Sequence, residues 1–142
     1  MKKITAMAFL LVITFSVISC SEEDDKKTKE ETFLSNLSGT WQTDAVTLDD
    51  EDVTEEFNDM TVTFKKDQTF TVQNPVGNIW GGAGTFTLEE GTGDNFNLLR
   101  DDDVFVTVIQ LTETTLVFSM QFDSAPGRTR GLAGDYIFEM KR

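Results

Sequence analysis

The chain has 142 residues, no histidine and one cysteine. Without histidine it lacks the commonest general base and metal ligand near neutral pH. Ser-His and Cys-His nucleophilic sites and His-based zinc sites are therefore excluded within this chain. Positive charge is also scarce: 12 Lys and Arg stand against 25 Asp and Glu, a formal charge of −13. Such a surface disfavours nucleic acid, whose phosphates are bound by Lys and Arg that release counterions. It also keeps the folded part away from anionic membrane surfaces. No apolar run comfortably reaches the roughly 20 residues that a membrane-spanning helix needs. Past residue 40 no segment holds a helical period over ten residues, and two prolines and scattered glycines punctuate the chain.

One short apolar stretch does stand out. Met1-Lys2-Lys3 is a positive start, and residues 4–18 are apolar except for Thr5, Thr14 and Ser16. A charged start, an apolar core and small residues at the cut describe a secretory signal. The stretch ends in Val17-Ile18-Ser19-Cys20. This resembles the lipobox of bacterial lipoproteins, which implies cleavage before Cys20 and acylation of its thiol. Acyl chains contribute about 0.8 kcal/mol per buried methylene, so two or three of them anchor a protein stably. With its only cysteine acylated, the chain has neither a thiol catalyst nor a disulfide. Ser21-Glu22-Glu23-Asp24-Asp25 looks like the acidic export tag of Bacteroidetes lipoproteins, which implies display at the outer-membrane surface; a solvated acidic linker is the plainer account of such a run. The polar composition of residues 21–32 predicts a disordered tether. Residues 33–142 remain as one domain, enough for a single core.

From Gly39 onward, short segments rich in Thr, Val, Phe and Leu alternate with period two, the signature of half-buried strands. Eight are expected, at 40–48, 60–64, 69–73, 82–88, 95–100, 104–111, 115–122 and 135–141. Simple turns between successive strands suggest an all-β, antiparallel up-and-down barrel, which closes on itself and leaves no edge. The 49–59, 74–81 and 123–134 connections are long and fall at one end of such a barrel. The 65–68 and 112–114 turns are tight and fall at the other, while 101–103 is a short connection among the long ones. Loops carried on a rigid scaffold are where binding residues concentrate.

Leu37-Ser38-Gly39-Thr40-Trp41 precedes and opens the first strand, and Gly39-x-Trp41 resembles the first motif of lipocalins. The resemblance implies that Trp41 plugs the closed base after a helical turn like 33–37, with an arginine, Arg142 or Arg100, stacked on it. Residues 64–70, Phe-Lys-Lys-Asp-Gln-Thr-Phe, are similar to the second hairpin of bacterial lipocalin-like domains, where Gly often holds the place of Gln68. The resemblance covers most of the mature chain in layout and these two motifs in residues. A Thr-Asp-Tyr motif and a helix after the barrel, both usual in lipocalins, are lacking.

On this reading Val62, Phe64, Phe70, Phe86, Phe118 and Phe138 point into the barrel. They either line a pocket for a small apolar or amphipathic ligand or fill the interior. Trp80, beside Gly81, Gly82 and Gly84, falls at the proposed mouth, either stacking on a ligand or packing at a bend. Arg128 and Arg130, the basic pair of the mouth loops, could pair a ligand carboxylate or balance acidic neighbours. The runs 49–52 and 101–103 offer oxygen ligands but not EF-hand spacing, so they read as solvated turns rather than Ca²⁺ sites. No carboxylate spacing points to a glycosidase-like acid pair, and no enzyme activity or cofactor is expected. The expected function is a ligand-binding module tethered through Cys20. The alternative is a packed barrel that serves as an accessory subunit through protein contacts.

Overall fold

In the computed structural model, residues 22–123 and 133–142 are described. A helix, α1 (Glu22–Leu37), leads into β1 (Gly39–Leu48). The short β2 (Glu51–Asp52) and a 3-10 turn (Thr54–Phe57) follow. Next come β3 (Thr61–Phe64), β4 (Thr69–Gln73), β5 (Ala83–Glu90) and β6 (Phe96–Arg100). The chain ends with β7 (Phe105–Leu111), β8 (Thr115–Phe122) and β9 (Gly134–Lys141). Apart from β2, every strand pairs antiparallel with its sequence neighbours, and β1 also pairs with β9. That last ladder closes an eight-stranded barrel, the expected fold. The two-residue β2 only extends the far end of β1.

Alternation along each strand decides what faces inward. In β8 Leu116, Phe118 and Met120 are buried; in β9 Tyr136, Phe138 and Met140 are. The register sets bulky inward residues opposite one another: Trp41 by Val62, Phe64 by Phe70, Phe118 by Phe138. Register shifts at Thr43/Ala45 and Val108/Gln110 mark bulges, which bend strands into a tight cylinder. Gln68 closes the β3–β4 turn with φ +63°. A left-handed backbone there explains why glycine suits this position in similar hairpins.

The antiparallel order places the β3–β4, β5–β6 and β7–β8 turns at one end, the base, together with α1 and the C-terminus. The other connections form the opposite end, the mouth. At the base, Trp41 is fully buried and its Nε1 donates to the Leu37 carbonyl at 2.7 Å. The Arg142 guanidinium lies 4.4 Å from the Trp41 ring centre and donates to the Ser38 carbonyl at 2.8 Å. Arg142, not Arg100, is thus the arginine on Trp41. Gly39 has φ +136°, and a Cβ there would sit 2.9 Å from Arg142 Nη1. The Gly-x-Trp spacing therefore couples a backbone bend to the space the arginine needs.

The disordered tether expected at 21–32 is corrected by α1, which is helical from Glu22. Acidic residues at its start suit the helix dipole. Lys29 feels Asp25, and Lys26 feels Glu30, each one turn away. The last turns bury Phe33 and Leu37 against the base, and the Phe33 ring meets Phe96 edge-on at 5.3 Å. Lys26 pairs with Glu90 at 2.8 Å and Lys29 with Asp94 at 2.9 Å, holding the first half of α1 to the β5–β6 turn.

Replacing Trp41 with Ala is expected to cost about 3–5 kcal/mol in urea unfolding. A loss below about 1 kcal/mol would contradict its role as the base plug.

Candidate functional site

The six expected lining residues, Val62, Phe64, Phe70, Phe86, Phe118 and Phe138, all face the interior and are buried. They meet one another rather than a space. Phe64 packs on Phe86 at 5.8 Å, and Phe118 stacks on Phe138 at 5.1 Å. Of the two readings of Trp80, stacking on a ligand at the entrance or packing at a bend, its burial fits the second: the residue is 1% exposed. Its ring meets Phe70 at 5.6 Å, Phe118 at 5.7 Å, Phe138 at 6.3 Å and Phe64 at 6.4 Å, all edge-on. Those partners come from β4, β8, β9 and β3, so the indole lies between opposing walls. A loop residue reaches this position because the β4–β5 connection folds inward, burying Ile79 with Trp80. Edge-on aromatic pairs each contribute about 0.5–1.5 kcal/mol beyond burial, so leaving this cluster for water is strongly unfavourable.

Arg100 ends β6 and points inward, with 3% of its surface exposed. Its Cζ lies 4.5 Å from the Trp80 ring centre and 5.6 Å from that of Phe70. One terminal nitrogen donates to the Ile79 carbonyl at 2.8 Å, and the other to Asp102 Oδ2 at 2.5 Å. Burial pushes the guanidinium below its ordinary pKa, against the opposing pull of Asp102 and Asp101. Arg100 therefore latches the Trp80 loop to the barrel wall. Among the described residues, two buried donors, Trp80 Nε1 and Arg100 Nε, have no hydrogen-bond partner.

A second plug enters from the β1–β3 loop. Phe57 is buried and meets Phe138 at 5.2 Å and Tyr136 at 6.0 Å, edge-on. Burial pushes the Tyr136 phenol above its ordinary pKa, and the charges of Glu56 and Asp49 add to this. Its only sequence signal was a lone aromatic in an acidic loop. Of the glycines near Trp80, Gly84 has a clear packing role. A Cβ there would sit 2.7 Å from the Phe70 ring and 2.8 Å from Asp101; the close approach is by the protein itself.

The acidic mouth runs are used as loop caps. Asp49 Oδ1 accepts the Asp135 amide at 3.0 Å, and Asp101 Oδ2 accepts the Thr85 amide at 3.1 Å. Hydrogen bonds from Thr54 hold the Asp52 carboxyl below the usual range. Among the described residues no three carboxylates converge as a metal site. Cys20, Arg128 and Arg130 lie outside the described residues. A groove of about 520 Å³ lies at the base, lined in part by Lys26, Lys29, Glu90 and Phe96.

These features define a small closed β-barrel, clasped at its base by a Gly-x-Trp motif and an arginine, with an aromatic interior. A family model described as a lipocalin-like domain matches residues 37–118, more than half of the chain. The chain belongs to that family. The match runs from the base motif into β8 and leaves β9 outside it. No curated protein and no solved structure matches the chain significantly.

Trp80→Ala is expected to cost about 3–5 kcal/mol. Arg100→Met is expected to cost less than about 2 kcal/mol, since the half-exposed Asp102 is re-solvated and a desolvated charge is lost. Urea unfolding measures both, and a larger loss for Arg100→Met than for Trp80→Ala would contradict this order. Alkaline titration tests Tyr136. Its raised pKa means the unfolded chain loses the phenol proton first. The stability it contributes is therefore present below about pH 10 and falls as pH rises above that. Ionisation of the only tyrosine at its ordinary pKa, without loss of stability, would contradict its burial.

Proposed function

We propose that the chain is an outer-membrane lipoprotein, anchored through acylated Cys20 and displayed at the cell surface. Its lipocalin-like barrel is a filled scaffold that works through its mouth loops on a protein partner. The observation that carries this reading is the burial of Trp80 between the barrel walls, where a lipocalin-like cup would hold cargo. The acidic runs 49–52 and 101–103 lie at the mouth and favour a partner with a basic face. Complementary charge of this kind speeds encounter and selects partners.

A second reading, a small apolar or amphipathic ligand inside the barrel, is favoured by Trp80 Nε1 and Arg100 Nε, which have no partner among the described residues. A buried unsatisfied donor costs about 1–3 kcal/mol, which a ligand bearing an acceptor group would recover on displacing the Trp80 loop.

Native mass spectrometry of the protein from its own cells, after removal of the lipid, separates the two. A bare mass that gains no adduct from fatty acids, sterol-like compounds or haem is the expected result. A reproducible small-molecule adduct that disappears in Phe118→Trp would establish the second reading instead. Cys20→Ala is expected to move the protein from the membrane to the soluble fraction on cell fractionation; retention at the membrane would contradict the anchor.

A further inference from the structure

We propose that α1 is a strut that seats the barrel base on the bilayer and points the mouth away from it. This rests on the reading of Cys20 as the lipid-bearing residue. Only Ser21 separates Cys20 from the first residue of α1. Two residue steps reach about 7 Å at full extension. The acyl chains must therefore enter the membrane next to the start of the helix, with no long flexible tether between.

The helix, in turn, is tied to the base along its length. Phe33 and Leu37 are buried in the base, and Trp41 donates to the Leu37 carbonyl. Nearer the anchor, Lys26 and Lys29 pair with Glu90 and Asp94, at the end of β5 and in the turn that follows. Asp25 lines the same groove as Glu90, so contact with the barrel continues to the first turns of α1. The exposed ion pairs each contribute little. The continuous helix, about 24 Å long for 16 residues, is held chiefly by its buried end. A lipid at the other end thus lies on the base side of the barrel.

The occupant of the base face is therefore the bilayer itself, and the mouth loops stand about one strand length, roughly 25–30 Å, farther out.

Acylation blocks the only native cysteine, so one introduced cysteine gives one label. Thr114→Cys places a fluorophore in the β7–β8 turn at the base, and Asp50→Cys places one at the mouth. The lipidated full chain is reconstituted in phosphatidylcholine vesicles carrying a headgroup-linked energy acceptor. Transfer is expected to be several-fold stronger from the base label. Adding Lys27→Pro, which interrupts α1 ahead of Phe33, should bring the two labels closer in efficiency. Equal transfer from both labels without that change overturns the strut while leaving the anchor intact. A protein mass without acyl chains on Cys20 overturns the anchor and the strut with it.

Discussion

An eight-stranded barrel of short strands has an interior about wide enough for its own side chains, and that constraint shapes this molecule. The inward positions carry Phe64, Phe70, Phe86, Phe118, Tyr136 and Phe138, and their rings leave a slot that the indole of Trp80 occupies. Gly84 stays small because Phe70 needs its space. Arg100 can be buried because it has a carbonyl, a carboxylate and two aromatic faces to receive its charge. A charge without such partners would cost several kcal/mol to bury.

The two ends solve the same problem differently. The base is closed by a clasp of Gly39, Trp41 and Arg142, to which the last turns of α1 add Phe33 and Leu37. The mouth is closed by loops that turn inward, bringing Phe57 and Ile79–Trp80 into the core. Loop residues spent on packing are not free to contact cargo, while the carboxylates of the β1–β3 and β6–β7 loops remain at the surface. The division explains how an acidic rim surrounds an apolar plug, and why the mouth rim rather than the barrel interior is the natural place for a partner.

The strands were legible because period-two alternation directly reports one buried face: β4 and β8 fall at the expected residues, and the other barrel strands within two residues at either end, while the two-residue β2 falls inside the expected 49–59 connection. The Gly39-x-Trp41 clasp was legible as a motif, though the choice between Arg100 and Arg142 needed the fold, since only closure of β9 on β1 brings residue 142 beside residue 41. The depth to which Trp80 is buried was not legible, for a physical reason. Alternation assigns a face to strand residues and says nothing of a loop that folds back, and neighbouring glycines suggest exposure as readily as a bend. The helical turn at 33–37 was legible through the motif, but the first three turns of α1 were missed because they carry charge without an apolar stripe; their order comes from the two buried residues of the last turns and from i,i+4 charge spacing. The inward direction of the lining residues was correct, but direction alone does not distinguish a lined pocket from a filled one.

The central claim is that Trp80 fills the barrel interior. The Trp41→Phe variant, which leaves Trp80 as the sole indole, tests it by fluorescence with acrylamide as quencher. The filled barrel predicts a blue-shifted emission, protected from acrylamide and unchanged by added fatty acids. A red-shifted, readily quenched emission, or one that moves when an apolar ligand is added, would contradict it and reopen the barrel as a cup.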